Sequence, residues 1–198
     1  ALIEKFPEEP VVHRLKADLL GDLDSSKAIK YYDTALELSE KTQGVKDPAV
    51  EWNMSLHLLR TRDFERGWAA WEQGFHKVVG TMGRNLPPRV RNLPRAEENE
   101  KFDKNKWTMV CAEQGIGDQV LFLSAFQDFV DEYGKVIYIC EPRIHPILER
   151  SFKNVVIACP GLTFDWEDST IPKNGYIPLG SIPGKYLKTL EDFKKYRK

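Results

Sequence analysis

The hydrophobic period changes once along this 198-residue chain, and that change limits the folds open to it more than any other feature. Between residues 10 and 75 apolar side chains recur at helical spacing, with no strand alternation. Val12, Leu15, Leu19 and Leu23 mark one helix face, Asp24-Ser25-Ser26 forms a cap cluster, and Ala28, Ile29, Tyr32, Ala35, Leu36 and Leu38 follow it. Trp52, Leu56 and Leu59, a break at Arg62-Asp63, then Phe64, Trp68, Trp71 and Phe75 predict a second helical pair. From Trp107 onward short apolar runs alternate with amphipathic stretches. Strands are expected over 107–112, 135–140, 154–159 and 175–179, and helices over 119–133, 142–152 and 182–190, with Gly134 stopping the first of these helices. Such alternation predicts βαβ units and a parallel sheet. The expected fold class is α + α/β: helical repeats over 1–78, a connector over 79–106 and a parallel sheet flanked by helices over 107–198.

The helical half repeats itself. Aligning Asp24–Ile29 with Asp63–Trp68 gives a period of 39 residues; tetratricopeptide repeats run to about 34, which leaves the excess to the 42–47 loop. The segment from Ala28 to Leu38 resembles the second helix of such a repeat, with small Ala28 and Ala35 where helices approach closely and Tyr32 as the knob between them. Gly67, Trp71 and Gly74 hold those places in the second copy. Two positions depart from the pattern: Lys16 stands where the first helix usually has a small residue, and Glu40 replaces the terminal proline. Trp52, Trp68 and Trp71 read as packing, with a peptide-binding groove as the alternative.

Composition excludes several classes. With 29 Lys+Arg against 30 Asp+Glu the net charge is −1, which does not suit a general polyanion binder, so no nucleic-acid partner is expected. The longest apolar run, 119–126, is too short to span a bilayer, and a cytoplasmic setting is expected. A start at Ala1 rather than Met suggests an excised segment. The connector is punctuated by Gly80, Gly83, Pro87, Pro88 and Pro94 and carries Arg84, Arg89, Arg91 and Arg95, either as solvated charges or as a phosphate-facing rim. Cys111, Cys140 and Cys159 each fall in or at the end of an expected strand with no histidine at ligand spacing, so they read as core and no metal site is expected. His13, His57 and His76 have no partner pattern; His145 follows the second strand as surface or cleft.

The loop Glu113-Gln114-Gly115-Ile116-Gly117-Asp118 follows the first strand, and ligands of open parallel sheets bind beyond the strands' carboxyl ends. Three readings compete. As a dinucleotide fingerprint the loop lacks the third glycine, which is Val120, although Glu141 stands near the place of a ribose-binding acid. A second reading makes Asp118 a helix cap.

The third reading is a resemblance. Ala112 to Phe122, after helical repeats and an Arg/Pro connector, is similar to the glycosyltransferase-type region of bacterial tetratricopeptide-repeat proteins. The Gly-Asp element resembles that of the lipopolysaccharide heptosyltransferases, and repeats joined to a two-domain GT-B transferase resemble the protein O-GlcNAc transferases. The resemblance implies a Rossmann-like acceptor-side half-domain, Asp118 as general base and a nucleotide-sugar as substrate, with no resident cofactor. It further implies ligand or phosphate contacts at Gly115, Ile116 and Gly117, polar contacts from Gln114 and Gln119, and Ser181 lining the same cleft. A donor-binding half does not follow in 191–198, so the natural protein is expected to continue and this chain to be inactive alone. The alternative is a non-catalytic scaffold that binds a protein or peptide through its repeats.

Overall fold

The computed structural model describes residues 2–77, 79, 84, 86, 90, 93–159 and 171–195. Gly80, Gly83, Pro87, Pro88, Arg89, Arg91 and the last three residues lie outside the described residues. Contacts divide the chain into two compact units, one of residues 1–84 with 188–194, the other of residues 85–187 with 195–198.

The first unit is helical: α1 (Leu2–Lys5), α2 (Pro10–Gly21), α3 (Ser25–Gln43), α4 (Pro48–Arg60), α5 (Phe64–Glu72) and α10 (Leu190–Lys194). Capping sets the boundaries. Asp24 accepts the Lys27 amide at 3.0 Å, Asp47 the Ala49 amide at 2.9 Å and Asp63 the Arg66 amide at 3.4 Å, while Pro10 and Pro48 stand where a missing N–H costs nothing. α2 packs on α3, α3 on α4 and α4 on α5. The core joins Ala17, Ala28, Tyr32, Ala35, Leu36, Val50, Met54, Leu58 and Ala70. Small residues mark the helix contacts: a Cβ on Gly67 would sit 2.7 Å from Leu59, and one on Gly74 2.5 Å from the Trp52 ring. Trp52 and Trp71 lie 4.6 Å apart as part of this packing. α10 belongs here because Phe193 meets Phe64 at 4.8 Å.

The second unit is a four-stranded parallel sheet in the order β3-β2-β1-β4, built from β1 (Trp107–Cys111), β2 (Val136–Ile139), β3 (Val155–Ala158) and β4 (Lys173–Pro178). Its helices are α6 (Ile116–Phe122), α7 (Phe126–Tyr133), α8 (His145–Ser151) and α9 (Ile182–Tyr186). The expected 119–133 helix therefore starts earlier and is interrupted by a 3-10 turn over Leu123–Ala125. Both sheet faces are covered, which is why the strands read as unbroken apolar runs. Tyr138 on one face meets Phe126 at 5.4 Å. The other face, with Met109, Cys111, Ile137 and Ile139, packs on Val90, Leu86 and Leu93. The irregular stretch ahead of β1 is thus a layer of the α/β unit, with Val90 fully buried. Arg84 is no solvated charge: its side chain is wholly buried, paired with Glu72 at 2.7 Å and held 4.0 Å from the centre of the Phe75 ring. Among the described residues no helix is long and apolar enough to cross a membrane.

β4 carries the tightest backbone contact. Its register against β1 slips by one residue, since Trp107 pairs with Lys173 but Thr108 with Gly175. The extra residue, Asn174, is buried and its amide nitrogen donates to Asp103 O, Lys106 O and Thr108 Oγ1. Gly175 follows at φ +136°, and a Cβ there would lie 2.3 Å from Pro94 O. Both the dihedral and the clash exclude a side chain, so Gly175→Ala should lower unfolding stability by about 3 kcal/mol or more in a denaturant titration.

Candidate functional site

Strand order reverses at β1. The chain leaves β1 for β2 on one flank and later returns from β3 to place β4 on the other, so the crevice between the carboxyl ends of β1 and β4 is a topological switch point. Two loops meet there. After β1 come Ala112–Gly115 and the start of α6; after β4 comes the turn Leu179–Ser181, against which α6 packs. Glu113 Oε1 accepts the Gly180 amide at 3.0 Å and ties the loops together. Arg95 reaches the same turn, its Nη2 lying 3.5 Å from Ser181 Oγ while its Nε donates to Glu97 at 2.9 Å. Arg95 is fixed by a backbone bridge beside Tyr176 on the outer side of β4.

Gln119 makes the equivalent tie on the other flank. It is buried, its amide nitrogen donates to Gln114 O at 3.2 Å, and its oxygen accepts the Tyr138 hydroxyl at 3.1 Å and the Glu141 amide at 3.5 Å. These internal bonds occupy the side chain that the sequence offered as a ligand contact. Burial, with Cys140, Glu113 and Cys111 nearby, raises the Tyr138 hydroxyl so that it stays a neutral donor.

Gly115 is the N-cap of α6 and Asp118 the third helical residue, so Asp118 does not occupy the cap position. Its Oδ2 lies 3.4 Å from where a Gly115 Cβ would be. The carboxylate is half-buried, and among the described residues no hydrogen bond or ion pair engages it. A Cβ on Gly117 would meet nothing within 4 Å, and Gly117 is exposed, so crowding does not require that glycine. Ile116 and Gln114 are half-buried at the loop. Val120 is 60% exposed. The objection that its bulk would wedge helix from strand is therefore corrected: the position points away from the sheet, and Gln119 and Phe122 face inward instead. This is not the packing of a dinucleotide fingerprint, whose third glycine lies against the strand.

Cys111, Cys140 and Cys159 are all buried; Cys140 and Cys159 follow paired strands with their sulfurs 3.6 Å apart. Burial pushes the Cys140 thiol up to about 12. His145 is mostly buried, with Nδ1 3.5 Å from Glu149, and His13 is buried with Nε2 2.7 Å from Pro7 O. Among the described residues no group of three or more His, Cys, Asp or Glu side chains is placed to hold a metal ion. Glu113 and its bond to Gly180 carried no signal in the sequence beyond lying in the loop.

The helical unit has a separate groove of about 390 Å³ between α3, α4 and α5, lined by Asp33, Glu37, Glu40 and Glu51 against Lys46 and Arg66, with Leu36, Met54, Ala69, Ala70 and Gln73 among its apolar and neutral walls. Arg66 is committed to Asp33 at 2.6 Å. Desolvation raises the Glu51 carboxyl, opposed by Lys46 and reinforced by Asp47.

A 94-residue stretch, 46% of this chain, is 30% identical to Protein FlbA of Caulobacter vibrioides. The match spans 15% of that protein, so the chain corresponds to a small part of it. No protein-family model and no solved structure matches the chain.

Two outcomes follow. Glu113→Ala removes the acceptor of Gly180's buried amide and should cost about 1–3 kcal/mol, with faster hydrogen exchange at Gly180; Glu113→Gln, which keeps an oxygen there, should cost less. Glu51 binds its proton more tightly in the folded state than in the unfolded, so its contribution to stability is present below the unfolded carboxyl range, about 4.3, and falls as pH rises through the folded value. Glu51→Gln should therefore raise Tm at pH 7, by an increment that shrinks toward pH 4 in calorimetric scans.

Proposed function

We propose that this chain is part of a tetratricopeptide-repeat protein with a GT-B-type sugar transferase: the helical pairs are repeats, and the Rossmann-like α/β unit is the acceptor-side half. The observation that carries the proposal is Asp118, a half-buried carboxylate without a described partner, set beside the switch-point crevice where parallel sheets take ligands. Asp118 is the general base. The acceptor hydroxyl attacks the anomeric carbon of a nucleotide-sugar, Asp118 takes the hydroxyl proton, and the nucleotide leaves with the electron pair of the broken C–O bond. Gly115, Ile116 and Gly117 shape the crevice wall, and Ser181 with Arg95 forms its opposite rim. The donor is held by a second domain outside this chain, so transfer requires the longer protein. The setting is cytoplasmic, where nucleotide-sugars are made.

A second reading is favoured by the groove between α3 and α5, whose four carboxylates against two cations suit a cationic peptide of a protein partner. One experiment separates the two. In heteronuclear NMR titrations of the chain, free sugars and nucleotide-sugars should shift the amides of 115–118 and 180–181, whereas a Lys-rich peptide acting through a scaffold should shift those of 33–73. In a form of the protein that turns over, Asp118→Asn should slow transfer by about 10²-fold or more; unchanged turnover removes Asp118 from the base role.

A further inference from the structure

α2 is apolar on two sides, and only one of them is covered. Ala17 and Gly21 are buried toward the rest of the helical unit. On the opposite side Leu15 is 45% exposed, Leu19 76% and Leu23 84%, side chains that ordinarily leave water. α4 shows what such a face does. Pro10 and Pro48 both open their helices, and Ala17 and Ser55 are both fully buried, which equates α2 with α4 at an offset of 38 residues. α2 is one residue shorter, 12 against 13, so the offset becomes 39 at the caps Asp24 and Asp63. In α4 the residues equivalent to Leu15 and Leu19 are Asn53 and His57. These are the ones that hold the preceding pair: Asn53 reaches Asp18 at 3.4 Å, and His57 stacks on Tyr32 at 5.6 Å.

The geometry points to the open face of α2 as the docking surface for a further helical hairpin of the α2–α3 kind, whose second helix lies on α2 as α3 lies on α4. This rests on the repeat reading above. The occupant presents an aromatic knob and leucines, as α3 presents Tyr32 and Leu36, and its contact is more apolar than the internal one because leucines replace Asn53 and His57. A second copy of this chain does not qualify, because Tyr32 and Leu36 are already buried against α4 within each copy.

The test titrates the full chain with a synthetic peptide spanning residues 9–45, read by calorimetry and by helicity. Saturable binding is expected. Leu15→Lys and Leu19→Lys should weaken it by about tenfold or more while leaving the chain's own Tm unchanged. In a chain with residues 10–47 duplicated in tandem ahead of Pro10, the same Leu19→Lys should lower Tm. The inference is overturned if the peptide does not bind and Leu19→Lys stays neutral in the tandem chain, or if binding ignores both substitutions. Concentration-dependent self-association of the unaltered chain, lost on Leu19→Lys, would overturn it in favour of a second copy. Met54→Lys separates the two levels: it should lower Tm, and if it does not, the stacking of α4 on α3 and the repeat reading fail first.

Discussion

The α/β unit depends on one strand being bonded on both flanks. β1 has parallel neighbours on each side, so its backbone is spent along its whole length and only its exit loop has freedom left. That loop is then tied in both directions by side chains it carries, to the β2 exit through Gln119 and to the β4 turn through Glu113. Three strand tips become one continuous rim. A loop stitched in this way holds its geometry without a ligand, which is what positioning a single catalytic carboxylate requires. The same stitches decide which polar groups are available: Gln119 and Glu113 serve the architecture, and Asp118 between them does not.

The helical unit runs on a different constraint, the closeness of approach that small residues permit. Ala28, Ala35, Gly67 and Gly74 let neighbouring helices come near enough for Tyr32, Trp52 and Trp71 to fill the space between them. A helix packed by this means has two contact faces, one for its own pair and one for the pair before. α4 uses both, and α2 uses one, which is why the large exposed leucines collect on α2 rather than being scattered.

How much of this was legible in the sequence follows from which interactions are local. Helix starts were readable because caps act within three residues, as at Asp24 and Asp63. The parallel sheet was readable because strands covered on both faces must be apolar throughout. What covers one of those faces was not: Leu86, Val90 and Leu93 sit among prolines with no period, so nothing marked them as core. Arg84 was unreadable for a similar reason, since a buried guanidinium and a solvated one look alike until Glu72 and Phe75 are seen around it. In the loop, Asp118 and its glycines stood out by spacing, whereas Glu113 and Arg95 gained meaning only when the β4 turn, 67 residues after Glu113, arrived beside them.

The residues with the most reactive chemistry are held quiet by burial. Desolvation raises the thiols of Cys111 and Cys140 and the hydroxyl of Tyr138, so all three remain neutral at ordinary pH. Arg84, which cannot lose its proton, is instead matched by a carboxylate and two aromatic rings. A polar group withdrawn from water without compensation costs about 1–3 kcal/mol, and the rest of this unit avoids that cost with consistency. A half-buried carboxylate left without a described partner at the strand tips breaks the pattern. Local rules are broken where function requires it more often than elsewhere, and on that physical ground Asp118, rather than the cysteines or histidines, is the residue around which the site is to be sought.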